Sequence, residues 1–384
     1  MKGGHEWSYS PYRQLDFEHE NIPTICRLAP GTDFIELEWL FDNFEQPCIE
    51  FEVYYKPVSD EDYAIIKTKK KNVKISGLTS NTDYELFVCV GKLKSQKRLA
   101  RTGFVPGTVV NYLHPNDDAY KFSGKYLCSP SIVKLKSGVL LASMDVYASQ
   151  APQNLSFVFR SEDNGESWHY QTELFPCFWG KLFVHKDELY MLATSTEYGD
   201  LLIGKSNDEG KPLCKPEVLF RGSCSSKEKG LHKAPMPIIT HAGRLWTAID
   251  YGAWSIGGHA SSLLSIDEND DMMNAENWCL TKPLAYNPGW EGAVTGASRG
   301  CLEGNAVASP KGEILNILRY QTVFCEPDHN KAVILKGNVN NSEKQLEFYK
   351  VVDFFGNLSK FSILLDDVSG LYYAIVNCIE ECGE

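Results

Sequence analysis

The segment Ile132-Val-Lys-Leu-Lys-Ser-Gly-Val-Leu-Leu-Ala142 contains two short apolar runs joined by a tight polar turn. The same order of apolar strand, turn and apolar strand occurs four more times, at Leu182–Leu192, Ile238–Ala248, Ala306–Ile317 and Ile363–Ala374. Successive turns lie 50, 55, 69 and 58 residues apart. A hairpin that recurs at such intervals is typical of a β-propeller, whose blades take ~40–50 residues each plus insertions.

A second pattern lies between the hairpins, where residues 161–168 read Ser-Glu-Asp-Asn-Gly-Glu-Ser-Trp. Asp163 can bond the backbone of its own turn, and Gly165 can adopt a backbone conformation that other residues avoid. Trp168 is expected to pack between blades. Weaker copies run over Ser206–Leu213 and from Ser265 to Trp278. We predict that these Asp-boxes are structural and join the third and fourth strands of a blade.

Composition limits the class of protein. The 384 residues are 43% hydrophobic and 23% charged, as in ordinary soluble globular proteins, and no run of ~18 apolar residues predicts a membrane span. The net charge of −12 argues against a nucleic-acid partner. Twelve scattered cysteines and the lack of an export signal favour free thiols and a cytoplasmic location, with no metal or cofactor predicted.

Short alternating strands without helical periodicity cover residues 21–104, after a polar N-terminal extension of residues 1–20. Trp39 in an early strand and the run Gly77-Leu-Thr-Ser-Asn-Thr-Asp-Tyr84 resemble a fibronectin type III module. The resemblance implies a β-sandwich over residues 21–107, with Trp39 in its core and the Tyr84 hydroxyl tying a corner. The propeller would then occupy residues 108–384.

Asp-boxes between repeated hairpins resemble the sialidase superfamily, whose fold is a six-bladed β-propeller. The segments Tyr126–Ile132, Phe178–His185 and Gly300–Val307 are similar to bacterial BNR-repeat glycosidases. The fold class is therefore all-β, with a fibronectin type III-like β-sandwich followed by a sialidase-like propeller. Because the hairpins account for about four and a half blades, we expect this propeller to be incomplete at its C-terminal end.

Propeller geometry predicts where a site would lie. In each blade the start of the first strand and the end of the second strand lie on one face, and polar or aromatic residues recur there. Glu197 is one of them. The predicted catalytic residues are Glu303, Asp145 and His232. The predicted substrate-binding residues are Arg319, Lys233, Trp179, Tyr198, Asp250, Asn305 and Lys360.

Glu303 and Arg319 form the most specific pair, because they are 16 residues apart with Gly312 in the turn between them. The sialidase resemblance implies that Glu303 is the acidic residue that works with the nucleophile, and that Arg319 grips a substrate carboxylate. A guanidinium can hold a carboxylate through two parallel hydrogen bonds. The alternative is a structural ion pair across the hairpin.

Two departures from the family pattern shift the expected substrate. Cys128-Ser-Pro130 stands where the first arginine is usual, and the loop of residues 148–154 contains no aspartate. We therefore expect a glycoside hydrolase that acts on an acidic or modified sugar rather than a standard sialidase. A non-catalytic carbohydrate-binding propeller or inactive fragment, and a polysaccharide lyase using His232 with a tyrosine, remain open. The predicted partner is a carbohydrate with an acidic group.

Overall fold

The computed structural model describes residues 22–42, 50–149, 151–206 and 216–378. These ranges contain β-strands and two short 3-10 helices, Trp254–Ile256 and Ala275–Asn277, but no α-helix. The prediction of an all-β fold is confirmed. The predicted N-terminal extension and nearly all of the Ser206–Leu213 Asp-box copy lie outside the described residues.

The N-terminal module is a sandwich of two antiparallel sheets. Strands β1, β2 and β5 form one sheet; β4, β3, β6 and β7 form the other in that order, with β8 also paired to β6. Their bounds are β1 (Thr24–Pro30), β2 (Phe34–Leu40), β3 (Phe51–Pro57), β4 (Ala64–Thr68), β5 (Asn72–Ser76), β6 (Asp83–Val90), β7 (Leu93–Lys94) and β8 (Arg98–Arg101). Trp39 is 1% exposed in the shared core. The Tyr84 hydroxyl accepts a hydrogen bond from the backbone N–H of Thr79 at 2.9 Å, so the corner is tied as predicted.

Blades one and two each contain four antiparallel strands in chain order. Blade one consists of β9 (Tyr126–Lys134), β10 (Leu140–Tyr147), β11 (Ser156–Ser161) and β12 (His169–Leu174). Blade two consists of β13 (Phe178–His185), β14 (Glu188–Thr194), β15 (Leu201–Ser206) and β16 (Glu217–Phe220).

Blades three and four are less regular. Blade three has β17 (Gly230–His232), β18 (Ile239–His241), β19 (Arg244–Ala253), β20 (Gly258–Asp267), β21 (Cys279–Leu280) and β22 (Leu284–Ala285). A small ladder joins β23 (Thr295–Gly296) to β26 (Cys325–Glu326). Blade four has β24 (Gly300–Ala308), β25 (Ile314–Gln321), β27 (Lys331–Lys336) and β28 (Glu347–Asp353). A further hairpin pairs β29 (Ser362–Leu365) with β30 (Tyr372–Ile375).

All five predicted hairpins are present as antiparallel pairs. Apolar clusters then join each blade to the next: Leu141 packs with Met191, Leu192 with Leu264, and Leu263 with Leu318. Sheets that bury their faces against neighbours in succession are the arrangement of a propeller, which confirms the predicted fold of this region.

The Asp-box hairpin of blade one lies at the opposite end of the blade from the start of its first strand. Asp163 accepts a hydrogen bond from the backbone N–H of Ser167 at 2.9 Å, as predicted. Trp168 does not pack between blades; it packs with apolar residues of blade one and of the segment 110–120 that arrives from the sandwich. Trp278 in the third copy does lie between blades two and three. The difference arises because blade one has the connecting segment, rather than an earlier blade, against that face.

The sandwich and blade one are joined by buried polar contacts. Arg98 of β8 forms an ion pair with Asp117 at 2.6 Å, and the two side chains are 4% and 0% exposed. A carboxylate oxygen of Glu38 in β2 accepts a hydrogen bond from the backbone N–H of Tyr170 in β12 at 3.1 Å. The sandwich therefore meets the outermost strand of blade one. No helix in the described ranges has the length and apolarity needed to cross a membrane.

Candidate functional site

The first strands of blades one, two and four share a bulge near their beginning. Ser129, Trp179 and Glu303 have φ angles of 50°, 52° and 52°, and the pairing with the second strand shifts register at each. A left-handed backbone conformation is unfavourable for these residues and persists only when the surroundings hold it. A bulge also changes the direction of the side chain it carries. The same kind of bulge therefore orients the side chains of Trp179 and Glu303.

Two buried aspartates hold the bulges of the neighbouring blades. Asp145, at the end of the second strand of blade one, accepts a hydrogen bond from the backbone N–H of Trp179 at 2.8 Å. Asp250, at the matching position in blade three, accepts one from the backbone N–H of Glu303 at 2.7 Å. Burial raises the pKa of each aspartate to about 7, although these hydrogen bonds favour the charged form. Both carboxyl groups therefore link one blade to the next.

Glu303 is held by two cations. Its carboxylate lies 2.6 Å from Arg319 Nη1 and 3.1 Å from Lys360 Nζ, and its side chain is 3% exposed. Burial alone would raise the pKa of Glu303, but the positive charges of Lys360 and Arg319 outweigh it and lower the pKa to about 2. Glu303 is therefore ionised near neutral pH. The Glu303–Arg319 ion pair predicted across the hairpin is present, and Lys360 is a second cation bound to the same carboxylate.

A neutral imidazole pair lies beside this carboxylate. His232 is buried, and its ring centroid lies 4.3 Å from that of Trp179 and 4.5 Å from that of His259. Its Nδ1 is 3.5 Å from Asp250 Oδ2. Burial lowers the pKa of both histidines to about 3, and the Glu303 charge only partly opposes this effect. Each ring therefore offers one hydrogen-bond donor and one acceptor rather than a positive charge.

Trp179 and Tyr198 are covered by their neighbours. Trp179 is 5% exposed, and its ring also packs on Phe178 at 4.6 Å. The Tyr198 hydroxyl accepts a hydrogen bond from the backbone N–H of Trp254 at 3.2 Å, and its ring stacks on His259. The sequence predicts that Trp179 binds substrate, but in the structure its ring is covered by protein on these sides.

Lys233 and Asn305 make contacts between blades. Lys233 is buried, and its ammonium donates hydrogen bonds to the backbone carbonyls of Trp179 at 2.5 Å and Leu192 at 3.4 Å. Asn305 donates to the carbonyl of Phe361 at 3.0 Å and accepts from the N–H of Ile363 at 3.1 Å. Lys233 thus joins blade three to blade two, and Asn305 joins blade four to the β29–β30 hairpin.

The predicted residues therefore divide into two groups. One group surrounds a common centre and consists of Glu303, Arg319, Lys360, His232, Asp250, Trp179 and Tyr198. The other group, Asp145, Lys233 and Asn305, is committed to contacts that join blades. In the described ranges, no group of three His, Cys, Asp or Glu side chains is arranged to bind a metal ion.

Glu197 and His259 belong to the same end of the blades. Glu197 lies in the loop between β14 and β15, and burial raises its pKa while Gln153 and the charge of Lys360 oppose the rise. His259 begins the third strand of blade three and was missed from the sequence. The signal was available, because an antiparallel third strand starts where the second strand ends.

Several buried polar atoms around this centre have no hydrogen-bond partner. They are His232 Nδ1, both ring nitrogens of His259, and Arg319 Nε. A buried polar group that lacks a protein partner costs free energy unless water or a ligand satisfies it. These four atoms near Glu303 are therefore available to water or to the polar groups of a ligand.

No protein-family model matches the chain, and no curated protein matches it. Among solved structures, a protein of unknown function from Dyadobacter fermentans is 15% identical with a TM-score of 0.45, covering 68% of this chain and 75% of that one. The GH93 α-L-arabinofuranosidase of Fusarium graminearum with arabinobiose is 10% identical with a TM-score of 0.43, over 65% and 74%. The fn3 domain of human contactin 1 is 15% identical with a TM-score of 0.20, over 27% and 92%. The propeller assignment accordingly rests on the strand pairing of this chain.

Proposed function

We propose that this chain is a carbohydrate-active propeller whose fold resembles that of the sialidase superfamily and that hydrolyses the glycosidic bond of an acidic or modified sugar by direct attack of water. The observation that carries the proposal is a buried carboxylate, Glu303, held by Arg319 and Lys360, with a second carboxyl group, Glu197, that also feels the charge of Lys360. The pKa of Glu303 is lowered to about 2, whereas burial raises the pKa of Glu197. A pair of carboxyl groups with separated pKa values is the usual basis of acid–base assignments in hydrolases.

In this mechanism Glu197 protonates the leaving oxygen as the bond from the anomeric carbon to that oxygen breaks. A water molecule forms the new bond to the anomeric carbon and gives its proton to Glu303. Arg319 and Lys360 hold Glu303 in its charged form, and His232 can orient a sugar hydroxyl as a neutral hydrogen-bonding group.

The ion pairs of Glu303 also suggest why the substrate would be acidic. A carboxylate clamped by two cations is a weak base. A substrate carboxylate that competes for Arg319 would draw positive charge away from Glu303 and so raise its pKa and its basicity. The buried and unpartnered Nε of Arg319 provides a donor for this contact. A neutral sugar would leave Glu303 in its weakly basic state.

The second candidate function is carbohydrate binding without catalysis. One observation favours it: each carboxylate oxygen of Glu303 lies within ion-pair distance of a cation, Arg319 on one and Lys360 on the other. A carboxylate satisfied in this way can be a structural element of the site. The two candidates agree on the place of binding and differ in the fate of the sugar.

A glycan panel separates these candidates. The full chain is incubated with acidic and neutral oligosaccharides, and products are analysed for new reducing ends and for near-ultraviolet absorption. Hydrolysis gives saturated products, lysis gives unsaturated products, and binding alone gives neither. Loss of hydrolysis in both Glu303→Gln and Glu197→Gln, with normal rates in the exposed Glu166→Gln control, supports the proposal. Unchanged rates in either site variant contradict the role given to that residue.

The carboxylate contact has its own test in Arg319. Arg319→Lys keeps the charge but loses the planar fork, so it should bind an acidic sugar nearly as poorly as Arg319→Ala. Losing one charge-assisted contact is expected to weaken binding by about 2 kcal/mol. Affinity of Arg319→Lys equal to that of the parent, measured by calorimetry, would contradict the carboxylate grip.

A further inference from the structure

A small groove lies between blades three and four, next to the centre described above. It has a volume of ≈ 150 Å³, and its walls include Lys229, Tyr251, His259, Tyr286 and Arg299. Pockets that hold drug-sized ligands have volumes of about 300 Å³ or more. The groove therefore has room for one small unit, such as a single sugar residue, rather than for a longer chain.

The walls of the groove carry positive charge although the protein is acidic overall. Arg299 and Lys229 both line it, and both side chains are exposed. The guanidinium of Arg299 lies 4.6 Å from the ring of Trp254, and its Nη2 donates to the carbonyl of Trp254 at 3.3 Å. These contacts hold Arg299 in place at the groove. A pair of cations in a concave site on an acidic protein favours an anionic group locally.

The base of the groove contains a buried polar group without a partner. His259 is 5% exposed, and neither of its ring nitrogens has a hydrogen-bond partner. Its ring is fixed by Trp254 at 4.8 Å and by Tyr198 at 5.9 Å. A neutral imidazole held in this way can donate one hydrogen bond and accept another, which matches the hydroxyl groups of a sugar.

The backbone fixes the two sides of the groove against each other. Gly258, which precedes His259, has a φ of +85°, and a side-chain carbon at this position would lie 2.8 Å from the carbonyl oxygen of Arg299. Only glycine permits both the conformation and the close approach. The backbone segments that carry His259 and Arg299 therefore lie in close contact at the groove.

His259 belongs both to the wall of the groove and to the ring cluster beside the proposed catalytic centre. The His259 ring lies 4.5 Å from that of His232, and the charges of Glu303 and Arg299 both act on His259. A ligand that contacts His259 from the groove is thus one residue away from the ring that adjoins Glu303. A disaccharide bound through His259 would extend from the groove toward His232.

We infer that the groove between blades three and four is a second sugar subsite, which binds an acidic unit adjacent to the one bound at Glu303. Arg299 and Lys229 bind the anionic substituent, and His259 binds ring hydroxyl groups. This inference rests on the proposed function. It specifies the substrate as an oligosaccharide with acidic groups on neighbouring units, either carboxylates or sulfate esters.

The test measures binding of disaccharides and of their monosaccharide units to the full chain by calorimetry. The probes are disaccharides that carry two carboxylates, two sulfate esters or no charge. Arg299→Gln is compared with the parent and with Lys311→Gln, which removes one positive charge from the exposed turn of blade four. We expect Arg299→Gln to weaken binding of an acidic disaccharide by about tenfold or more, the loss of one charge-assisted contact. Binding of the monosaccharide should not change.

Comparing the affinities of the disaccharide with two carboxylates and the disaccharide with two sulfate esters identifies which anion the groove prefers. The inference is overturned if Arg299→Gln binds every acidic disaccharide as the parent does, or if Lys311→Gln loses as much affinity. It is also overturned if no acidic disaccharide binds more tightly than its monosaccharide. Failure of the proposed function looks different: the parent would then form no saturated product, or Glu303→Gln and Glu197→Gln would leave glycan turnover unchanged, whatever Arg299→Gln does to binding.

Discussion

The interface between blades one and two and the interface between blades three and four are built in the same way. In each, an aspartate at the end of a second strand accepts a hydrogen bond from the backbone N–H of a bulged residue in the next blade. The distances are 2.8 Å for Asp145 with Trp179 and 2.7 Å for Asp250 with Glu303. The bulged residues have the same φ of 52°.

The two interfaces differ in the side chain that the bulge carries. Trp179 packs on Phe178 and His232, whereas Glu303 contacts Arg319 and Lys360. The aspartates thus make the same structural contact in both interfaces, and the chemistry of each interface depends on the side chain of the bulged residue. Asp145, which the sequence predicts to be a catalytic carboxylate, has a raised pKa of about 7 and makes the same contact to the Trp179 backbone that Asp250 makes to the Glu303 backbone.

The largest expected effect separates the two bulge residues. Glu303→Gln should lower the turnover of an acidic glycan by roughly 10²–10⁴-fold, because it removes the ionised carboxylate. Trp179→Phe keeps an aromatic ring and the backbone N–H, so turnover should stay within about tenfold of the parent. Steady-state kinetics on both variants checks this prediction. Equal losses would mean that the two bulges contribute to turnover in the same way.

The aspartates should behave alike in stability and differently in activity. Asp145→Ala and Asp250→Ala each leave a buried backbone N–H without its acceptor, and at about pH 4, where neither aspartate carries its buried charge, each should lower the free energy of unfolding by about 2–3 kcal/mol. Asp250→Ala should also lower turnover, because Asp250 positions Glu303. Denaturant unfolding and kinetics measure the two effects. If Asp145→Ala and Asp250→Ala lost the same amount of activity, the proposal that only Asp250 positions a catalytic residue would be contradicted.

The pH dependence of stability offers a third comparison. Burial raises the pKa of Asp145 and Asp250 to about 7, above the ~3.9 of an unfolded aspartate. Their contribution to stability is therefore complete below about pH 4 and is lost as the pH rises through 7. Asp145→Asn and Asp250→Asn should gain stability relative to the parent between pH 4 and pH 8. Melting temperatures that keep a constant difference over this range would contradict the assignment.

The smallest effect is expected at the far end of blade one. Asp163→Ala removes the acceptor for the Ser167 backbone N–H on an exposed hairpin, so the melting temperature should fall less than in Asp145→Ala. Sugar affinity and turnover should be unchanged. A selective loss of binding with normal stability would show that the Asp-box has a role beyond the turn.

The sequence was sufficient to predict features that depend on local pattern. The hairpins, the Asp163 turn, the Tyr84 corner and the Glu303–Arg319 pair all arise from residues close in the chain or paired within one hairpin. Features that depend on contacts between blades were not predictable in the same way. The Asp145 carboxylate is bound to blade two, and Lys233 donates to a carbonyl 54 residues earlier. No spacing within one blade indicates such contacts.

The groove at Arg299 shows another limit. Gly258, His259 and Arg299 are brought together by the return of the chain from blade three to blade four. His259 could have been found by including the starts of third strands among the candidates. Arg299 directly precedes the first strand of blade four, as Lys229 precedes that of blade three, but the groove that brings the two cations together is visible only in the structure.

The buried contacts between sandwich and propeller bear on how the chain folds. Removing residues 22–107 would take Arg98 away from the Asp117 carboxylate and Glu38 away from the Tyr170 backbone N–H, so two charge-assisted contacts that hold the connecting segment and blade one would be lost. The boundary that the sequence predicts between the sandwich and the propeller is therefore not a site at which the chain can be truncated without loss of stability. We expect the sandwich and blade one to unfold as one cooperative unit, with a shared calorimetric transition, so that the sandwich acts as a folding partner of the propeller rather than as a separable appendage.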